Sequence, residues 1–129
     1  MHKFRIGEAA QLLGVSTDTV RRWADSGRLP IERTEGGHRL INGVELAKLA
    51  QEISNSSEQE GATLSARNRF TGLITRVVAD GVMAQVELQA GPYRVVSLIS
   101  AEAVKELGLK PGALAVAAIK ATNVVIESP

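Results

Sequence analysis

The chain has 129 residues, with 15 basic and 14 acidic side chains and a formal net charge of +1. This length suits one domain or two small ones, and the near-zero charge means that any contact with nucleic acid must use a local basic patch. Cysteine is absent, which excludes disulfides and thiolate metal sites. The start MHKFRIGEAA has no apolar signal core, and the longest apolar run, GALAVAAI, is too short to span a bilayer. We therefore expect a cytoplasmic protein with no membrane association.

The first part of the chain predicts short helices. The stretch IGEAAQLLGV carries apolar residues at helical spacing and ends at Gly14. The stretch STDTVRRWADSG begins with Ser16, a good N-cap, and ends at Gly27. A hairpin is predicted around the glycine pair in RTEGGHRLI, and Asn42 is placed to cap a third helix, GVELAKLAQEI.

The second part has a different period. Residues 54–63 lack periodicity and are typical of a linker. From Asn68, the stretch FTGLITRVVADGVMAQVEL predicts two strands around the turn at Asp80 and Gly81, and YRVVSLIS predicts a third strand. A short helix follows between Ser100 and Gly108, and ALAVAAIK and NVVIE predict further strands.

These elements predict an α+β protein of two domains. Residues 1–53 form a mainly α winged helix-turn-helix, 54–63 a linker, and 64–129 a small OB-like β-barrel with one short helix. A domain of some 60 residues is only marginally stable alone, so we expect oligomerisation. The sequence shows no nucleophile–base set, no phosphate-cradling glycine loop and no metal-ligand spacing, so we do not expect an enzyme.

Two short helices joined by a glycine turn place the second helix, the recognition helix, in the major groove of DNA. Five arginines lie between Arg21 and Arg39 against three acids, a local excess suited to phosphate contacts. Trp23 is expected in the core. Arg21 and Arg22 are adjacent and cannot share a helix face, so one of them could instead be solvated or paired with Asp25. His38 suits turn chemistry better than a metal site, because the chain has only two histidines.

The stretches IGEAAQLLGV, TVRRWADSGRLP and RTEGGHRLI resemble the winged helix-turn-helix of MerR-type regulators and their excisionase relatives. The resemblance covers about the first 50 residues and implies binding to double-stranded DNA. It implies that residues 15–26 carry the recognition helix and residues 32–40 the wing. The long dimerising coiled coil of full MerR regulators is absent from this chain. The DNA-contacting set comprises Ser16, Thr17, Thr19, Arg21, Arg22, Arg33, His38 and Arg39.

The second half offers donors for a small anion at three separate places. Arg67 lies where it opens, Ser100 caps its helix, and Lys120 lies where an apolar strand ends. Each of these residues also has an interpretation that involves no ligand. Ser100 could be an N-cap without a ligand, Lys120 an exposed strand end, and Arg67 the partner of Glu87 or Glu127. Asn68, beside Arg67, is expected to make structural backbone bonds.

The stretches SARNRFTGLITRVV, LISAEAVKELGLKPG and AAIKATNVVI resemble the molybdate-binding Mop, or molbindin, domain of the TOBE group. The resemblance covers residues 64–127 and implies a five-stranded barrel that swaps or pairs strands with a partner subunit. It also implies molybdate or tungstate sites at the subunit interface. A serine common in the family is replaced here by Ala103, which leaves only a backbone N–H. The implied oxyanion set comprises Ser65 and Arg67 from one subunit with Ser100, Lys120, Ala121 and Thr122 from its neighbour.

Together the two halves predict a cytoplasmic transcriptional regulator that senses molybdate or tungstate and reads DNA as a homo-oligomer, a dimer or larger. Two other interpretations stay open. The protein could be a molybdate store or buffer, or a constitutive DNA-binding protein that uses its barrel only to oligomerise. The operator, the direction of regulation and the selectivity among oxyanions do not follow from the sequence.

Overall fold

The structure is a computed structural model that describes residues 2–56 and 66–129. The described residues divide into two compact units, and the division falls within the undescribed stretch 57–65. The predicted linker lies mostly outside the described residues. Its first part is helical, because the third helix extends to Ser56.

The N-terminal unit combines three helices with a small antiparallel sheet. The elements are β1 (Lys3–Arg5), α1 (Ile6–Leu13), α2 (Thr17–Asp25), β2 (Glu32–Arg33), β3 (Arg39–Asn42) and α3 (Gly43–Ser56). The sheet order is β1-β3-β2. The helices and the hairpin confirm the prediction from the sequence. Strand β1, which pairs with β3 through Phe4 and Ile41, was not predicted.

The helix ends follow the capping residues in the sequence. Gly14 ends α1 with a φ of 67°, in the left-handed region that favours glycine. The Ser16 side chain caps α2 by accepting a hydrogen bond from the Thr19 backbone N–H at 3.1 Å. The Asn42 side chain accepts one from the Val44 N–H at 2.8 Å and so starts α3. These caps confirm the predicted helix starts.

The three helices and β3 share one apolar core, and Trp23 packs against its margin. Because Val20 is fully buried, the side of α2 opposite to it faces solvent. The residues of this core are Ala9, Ala10, Val20, Leu29, Ile41, Leu46 and Leu49.

The C-terminal unit is a curled antiparallel sheet with one helix, which confirms the predicted mixed α+β fold. The sheet order is β6-β5-β4-β7. Gly72 lies in β4 at a close approach to β5, where an added Cβ would come within 2.5 Å of the Gln89 carbonyl oxygen. The elements are β4 (Asn68–Ala79), β5 (Met83–Ala90), β6 (Tyr93–Ser100), α4 (Ala101–Leu107) and β7 (Leu114–Ile119).

The prediction of a final strand in NVVIE was wrong for the single chain. A short 3-10 turn at Ala121–Asn123 follows β7, and residues 124–129 join no strand ladder. The side chains of Val125 and Ile126 are 82% and 86% exposed. The sheet therefore has four strands rather than five, and β6 and β7 are its edge strands.

An apolar cleft of about 550 Å³ opens beside these two edge strands. Residues 95–97 and Ile99 of β6 line one part of it, and residues 114–119, from β7, line another. Ile74, Val86 and Leu88, which form the small buried core of this unit, also line the cleft. The unit thus has a four-stranded sheet with an open apolar cleft, where the resemblance implies a five-stranded barrel.

Candidate nucleic-acid and oxyanion sites

The exposed face of α2 is the centre of the candidate nucleic-acid interface. Burial of Val20 and the packing of Trp23 point the opposite side of the helix outward. Asp18, Arg22 and Asp25 follow one another at spacings of four and three residues, which places them on that outer side. The face thus carries a cation between two acids.

The hydroxyl groups at the start of α2 are used within the helix. Ser16 Oγ lies 2.9 Å from Thr19 Oγ1, in addition to its cap bond from the Thr19 N–H. Arg22 Nη2 donates to Thr19 Oγ1 at 3.3 Å. Ser16 is therefore first a cap, and Thr19 holds Arg22 at the N-terminal end of the helix. Thr17, which begins α2, is exposed.

The arginine pairings differ from those considered from the sequence. Arg21 Nη1 contacts Asp18 Oδ1 at 3.2 Å, one helical turn earlier. Asp25, proposed as a partner for Arg21 or Arg22, instead accepts a hydrogen bond from Arg39 Nη1 at 3.3 Å. That contact joins the end of the recognition helix to strand β3 of the wing.

The wing is the hairpin of β2 and β3. Arg33 Nη1 donates to the Gly37 carbonyl at 3.4 Å, across the tip. The His38 backbone N–H donates to Thr34 Oγ1 at 3.1 Å, while the His38 residue itself is exposed. Across the described ranges 2–56 and 66–129, no three His, Asp or Glu side chains are grouped to hold a metal ion. All eight predicted DNA-contacting residues lie on α2, its cap or the wing strands and tip.

Asp18 lies among the donors and acceptors expected at the start of the recognition helix, but neither it nor Asp25 is in the predicted DNA-contacting set. The Asp18–Arg21 spacing of three residues is a local signal for an ion pair on a helix. The Asp25–Arg39 contact has no such signal, because it joins two elements 14 residues apart. Arg28, one of the five arginines counted between Arg21 and Arg39, is also outside that set. It lies over the Trp23 ring, 5.8 Å from the centroid, and 3.9 Å from Glu52 of α3.

In the C-terminal unit, Ser100 is the N-cap of α4. Its Oγ accepts a hydrogen bond from the Ala103 N–H at 3.1 Å. The Ala103 N–H, which the sequence analysis left available for an anion, is therefore engaged in the cap. The Ser100 hydroxyl proton is not used by that bond and can still be donated to a ligand oxygen.

Lys120 follows β7 directly and is the N-cap of the 3-10 turn. The Lys120 carbonyl accepts from the Asn123 N–H at 2.9 Å, and this bond shapes the turn that holds Ala121 and Thr122. The prediction for Asn68 is confirmed, since its Nδ2 donates to the Ile119 carbonyl at 3.1 Å. Asn68 thus fixes the end of β7 beside the start of β4.

The register of β4 and β7 gathers part of the predicted oxyanion set. Asn68 lies opposite Ile119 in this antiparallel pair. Arg67 precedes Asn68 and Lys120 follows Ile119, so both lie at the same end of the strand pair. Ser100 ends the other edge strand, β6, opposite Met83 and so at the other end of the sheet; the register of one chain does not bring it to Arg67 and Lys120. Ser65 lies outside the described residues.

Glu87, considered from the sequence as a partner for Arg67, is paired with Arg94. The hydrogen bond from Arg94 lowers the pKa of the Glu87 carboxyl, burial opposes that shift, and the charge of Arg76 adds to it. The pair sits on adjacent strands, with Gln85 Nε2 donating to Glu87 Oε1 at 3.3 Å. Glu87 therefore forms its ion pair within the sheet, with Arg94, rather than with Arg67 of the proposed oxyanion set.

No helix in the described parts of the chain has the length and apolar character needed to cross a bilayer. The first unit has the architecture of a winged helix-turn-helix, and the second has an OB-like sheet that lacks one strand. The two units define a class of protein in which a DNA-reading fold and a small barrel fold share one chain.

Comparison with known proteins finds a family match for each unit. Residues 5–41 match the model of the MerR family regulatory protein, and residues 64–126 match the TOBE domain. Through its C-terminal unit the chain belongs to the TOBE domain family, and its N-terminal unit is similar to the MerR helix-turn-helix. Both matches agree with the sequence analysis. Neither family description is catalytic.

Each of two curated relatives matches about half of this chain. Molybdenum-pterin-binding protein 1 of Clostridium pasteurianum is 40% identical over 65 residues, which are 50% of this chain and 96% of that protein. The mercuric resistance operon regulatory protein of Bacillus cereus is 33% identical over 75 residues, which are 57% of this chain and 55% of that protein. This chain thus spans about half of the regulator's length.

A solved structure of the cytoplasmic molybdate-binding protein ModG, with molybdate bound, matches with a TM-score of 0.51 and 43% identity. The match covers 57% of this chain and 52% of the ModG chain. This level of identity supports more than a shared fold, and it supports a ligand assignment as a proposal for this chain.

Proposed function

We propose that this protein is a cytoplasmic, DNA-binding transcriptional regulator that senses molybdate or tungstate through its TOBE unit. The observation that carries the proposal is the presence of both units in one chain, a MerR-type helix-turn-helix and a TOBE domain. A molybdate store would need only the TOBE unit. A constitutive DNA-binding protein would not need a unit from a ligand-binding family. We propose no catalytic role.

The DNA contact is proposed for the outer face of α2 and for the wing. Thr17, Arg21 and Arg22 would enter the major groove, where arginine reads guanine and hydroxyl groups contact bases or phosphates. Thr19 and Ser16 support Arg22 and the helix start. Arg33, His38 and Arg39 would follow the adjacent backbone from the wing.

The oxyanion contact is proposed for the donors at the ends of the edge strands. A tetrahedral dianion is bound by positive charge and by hydroxyl and backbone donors held away from bulk water. In this proposal Arg67 of one subunit supplies charge. Its neighbour supplies the Lys120 charge, the Ser100 and Thr122 hydroxyl groups and the Ala121 backbone N–H. Ser65 completes the proposed set from outside the described residues. The apolar cleft itself is excluded as the anion site, because a dianion there would lose hydration without gaining donors.

The homo-oligomer is proposed to form through the C-terminal unit. Its cleft is apolar and lies beside two edge strands, while the apolar residues 124–126 of the same unit are exposed. A strand from a second copy would supply backbone partners to an open edge and apolar side chains to the cleft. Assembly of this kind would also give the two-fold arrangement of DNA-reading units that a palindromic site requires.

The first test is calorimetric titration of the full chain with molybdate, with sulfate as the control anion. Micromolar or tighter binding of molybdate, absent for sulfate and lost in Arg67→Ala and Lys120→Ala, is the expected result. Lys105→Ala is the matched control, because Lys105 is an exposed lysine on α4 outside the proposed set. No heat with molybdate at millimolar concentration would contradict the sensing function and favour the constitutive DNA-binding interpretation.

The second test separates a sensor from a store. DNA binding is measured with and without molybdate, using duplexes selected from a random library by the full chain. A change in affinity with molybdate supports the regulator. Tight molybdate binding with no enrichment of any duplex would identify a store. The match to a molybdenum-pterin-binding protein, along 96% of that protein's length, favours this second candidate function.

A further inference from the structure

Asp18 is an acid on the helix face that the proposed function turns toward DNA. Its side chain is 84% exposed, and it lies on the side of α2 opposite to the buried Val20. A carboxylate at this place repels phosphates and lowers affinity for DNA of any sequence. An acid on this face therefore suggests a role in selecting the DNA sequence that is bound.

Asp18 lies in the first turn of α2, where its charge stabilises the helix through the helix dipole, but the local structure needs no particular hydrogen bond from its carboxylate. Ser16 already caps the helix, and the remaining contact of Asp18 is the exposed ion pair with Arg21 at 3.2 Å, a kind of pair that adds little to stability. The pair does restrict where the Arg21 guanidinium can go. Only Oδ1 of Asp18 takes part in it, and Oδ2 has no hydrogen-bond partner in the described part of the chain.

From this geometry, and resting on the proposed DNA-binding function, we propose that Asp18 determines sequence specificity by accepting a hydrogen bond from the exposed amino group of a cytosine. In the same arrangement it acts as a positioning residue that holds Arg21 toward the neighbouring base pair. Acidic side chains accept from cytosine N4 in the major groove, while thymine presents an acceptor oxygen at the same place. Asp18 therefore favours cytosine and disfavours thymine at one base pair.

The test uses the full chain with molybdate present and compares wild type with Asp18→Ala and Asp18→Asn. The matched control is Glu45→Gln, which removes the same charge from a similar ion pair, with Lys48 at 3.5 Å, on α3. Duplexes are selected from a random library by the wild type. Affinities are then measured for the best duplex, for versions with each C·G pair changed to T·A, and for mixed-sequence DNA.

For the wild type, one such change should weaken binding about 10- to 100-fold, in line with the usual discrimination by a base-reading side chain. Asp18→Ala should lose the preference at that pair, keep the preferences at distant pairs, and bind mixed-sequence DNA more tightly. Asp18→Asn should accept both pairs, because an amide can accept from cytosine or donate to thymine. Glu45→Gln should behave like the wild type.

An unchanged preference at every pair in Asp18→Ala would overturn the inference while leaving the DNA-binding function intact. Equal loss of preference at all pairs, or the same change in Glu45→Gln, would also overturn it, since these outcomes point to altered folding or general charge. Failure of the wild type to enrich any duplex would overturn the proposed function and the inference with it.

Discussion

At the scale of single residues, the charge state of Glu87 depends on its neighbours. It is 8% exposed, and the Arg94 hydrogen bond lowers the pKa of its carboxyl. A pKa lower in the folded than in the unfolded chain stabilises the fold above the unfolded value, about 4.3 for glutamate. That contribution is lost as the pH falls through the folded pKa.

The first prediction concerns this pair. Arg94→Ala should reduce stability at neutral pH, because it leaves a charged carboxylate largely buried without its partner. It should also flatten the decline in stability between neutral and acid pH, since the pKa of Glu87 returns toward its ordinary value. Denaturant unfolding at a series of pH values from 7 down to about 3, which spans the unfolded pKa and the range below it, measures both effects. Glu102→Gln, at an exposed acid of α4, is the control, and an Arg94→Ala curve parallel to wild type would contradict the assignment.

Contacts between residues of different elements could not be predicted from the sequence. The Ser16 cap and the Gly14 helix end follow from neighbours in the sequence, and both were predicted. The Asp25–Arg39 and Glu87–Arg94 pairs join different elements, and their partners depend on how strands and helices are placed. The sequence alone therefore offered several acids for each arginine and no means of choosing between them.

At the scale of elements, the start of the recognition helix gives the second prediction. Ser16→Ala removes the acceptor for the Thr19 N–H and should destabilise the N-terminal unit by about 1 kcal/mol. Ser16→Asn restores a capping oxygen and should recover the stability. If Ser16 acts as a cap, DNA affinity should follow stability across the two variants. Thermal unfolding and DNA titration measure this, and weak DNA binding by a fully stable Ser16→Asn would instead assign Ser16 a direct DNA contact.

The final strand shows why a correct local pattern gave a wrong structure. The run NVVIE has the β-branched residues of a strand, but a strand forms only beside a partner. In the single chain that run stays exposed while β6 and β7 have open edges. The sequence pattern shows a propensity for a strand but not which strand it would pair with. The proposed second copy would supply that pairing strand.

This proposal gives the third prediction. A chain ending at Asn123 lacks residues 124–129 and should be monomeric, whereas a chain ending at Glu127 keeps the apolar run and should assemble like the full chain. The physical reason is that only the longer chain can fill the apolar cleft and pair the open edge of a partner. Light scattering during size-exclusion chromatography measures the mass. Equal masses for both truncated chains would exclude the run from the interface.

At the scale of the whole molecule, the proposed sensing function requires that an anion bound to one unit changes DNA binding by the other. Two DNA-reading units bind a palindrome cooperatively only when they are held together, with half-sites one helical turn apart. An anion that stabilises the assembled C-terminal units therefore raises DNA affinity through the assembly. Typical couplings between sites change affinity by about 5- to 150-fold.

The last prediction follows from this route. Molybdate should change the DNA affinity of the full chain and of the chain ending at Glu127 by the same factor. DNA should change the molybdate affinity of both chains by that factor as well, because coupling between sites is reciprocal. In the chain ending at Asn123 the factor should fall to one, although each isolated unit keeps its fold. Paired titrations, DNA with and without molybdate and molybdate with and without DNA, measure both sides. An undiminished factor in the monomeric chain would mean that the signal passes within one chain, through residues 54–63, and deletion of that segment would then abolish it.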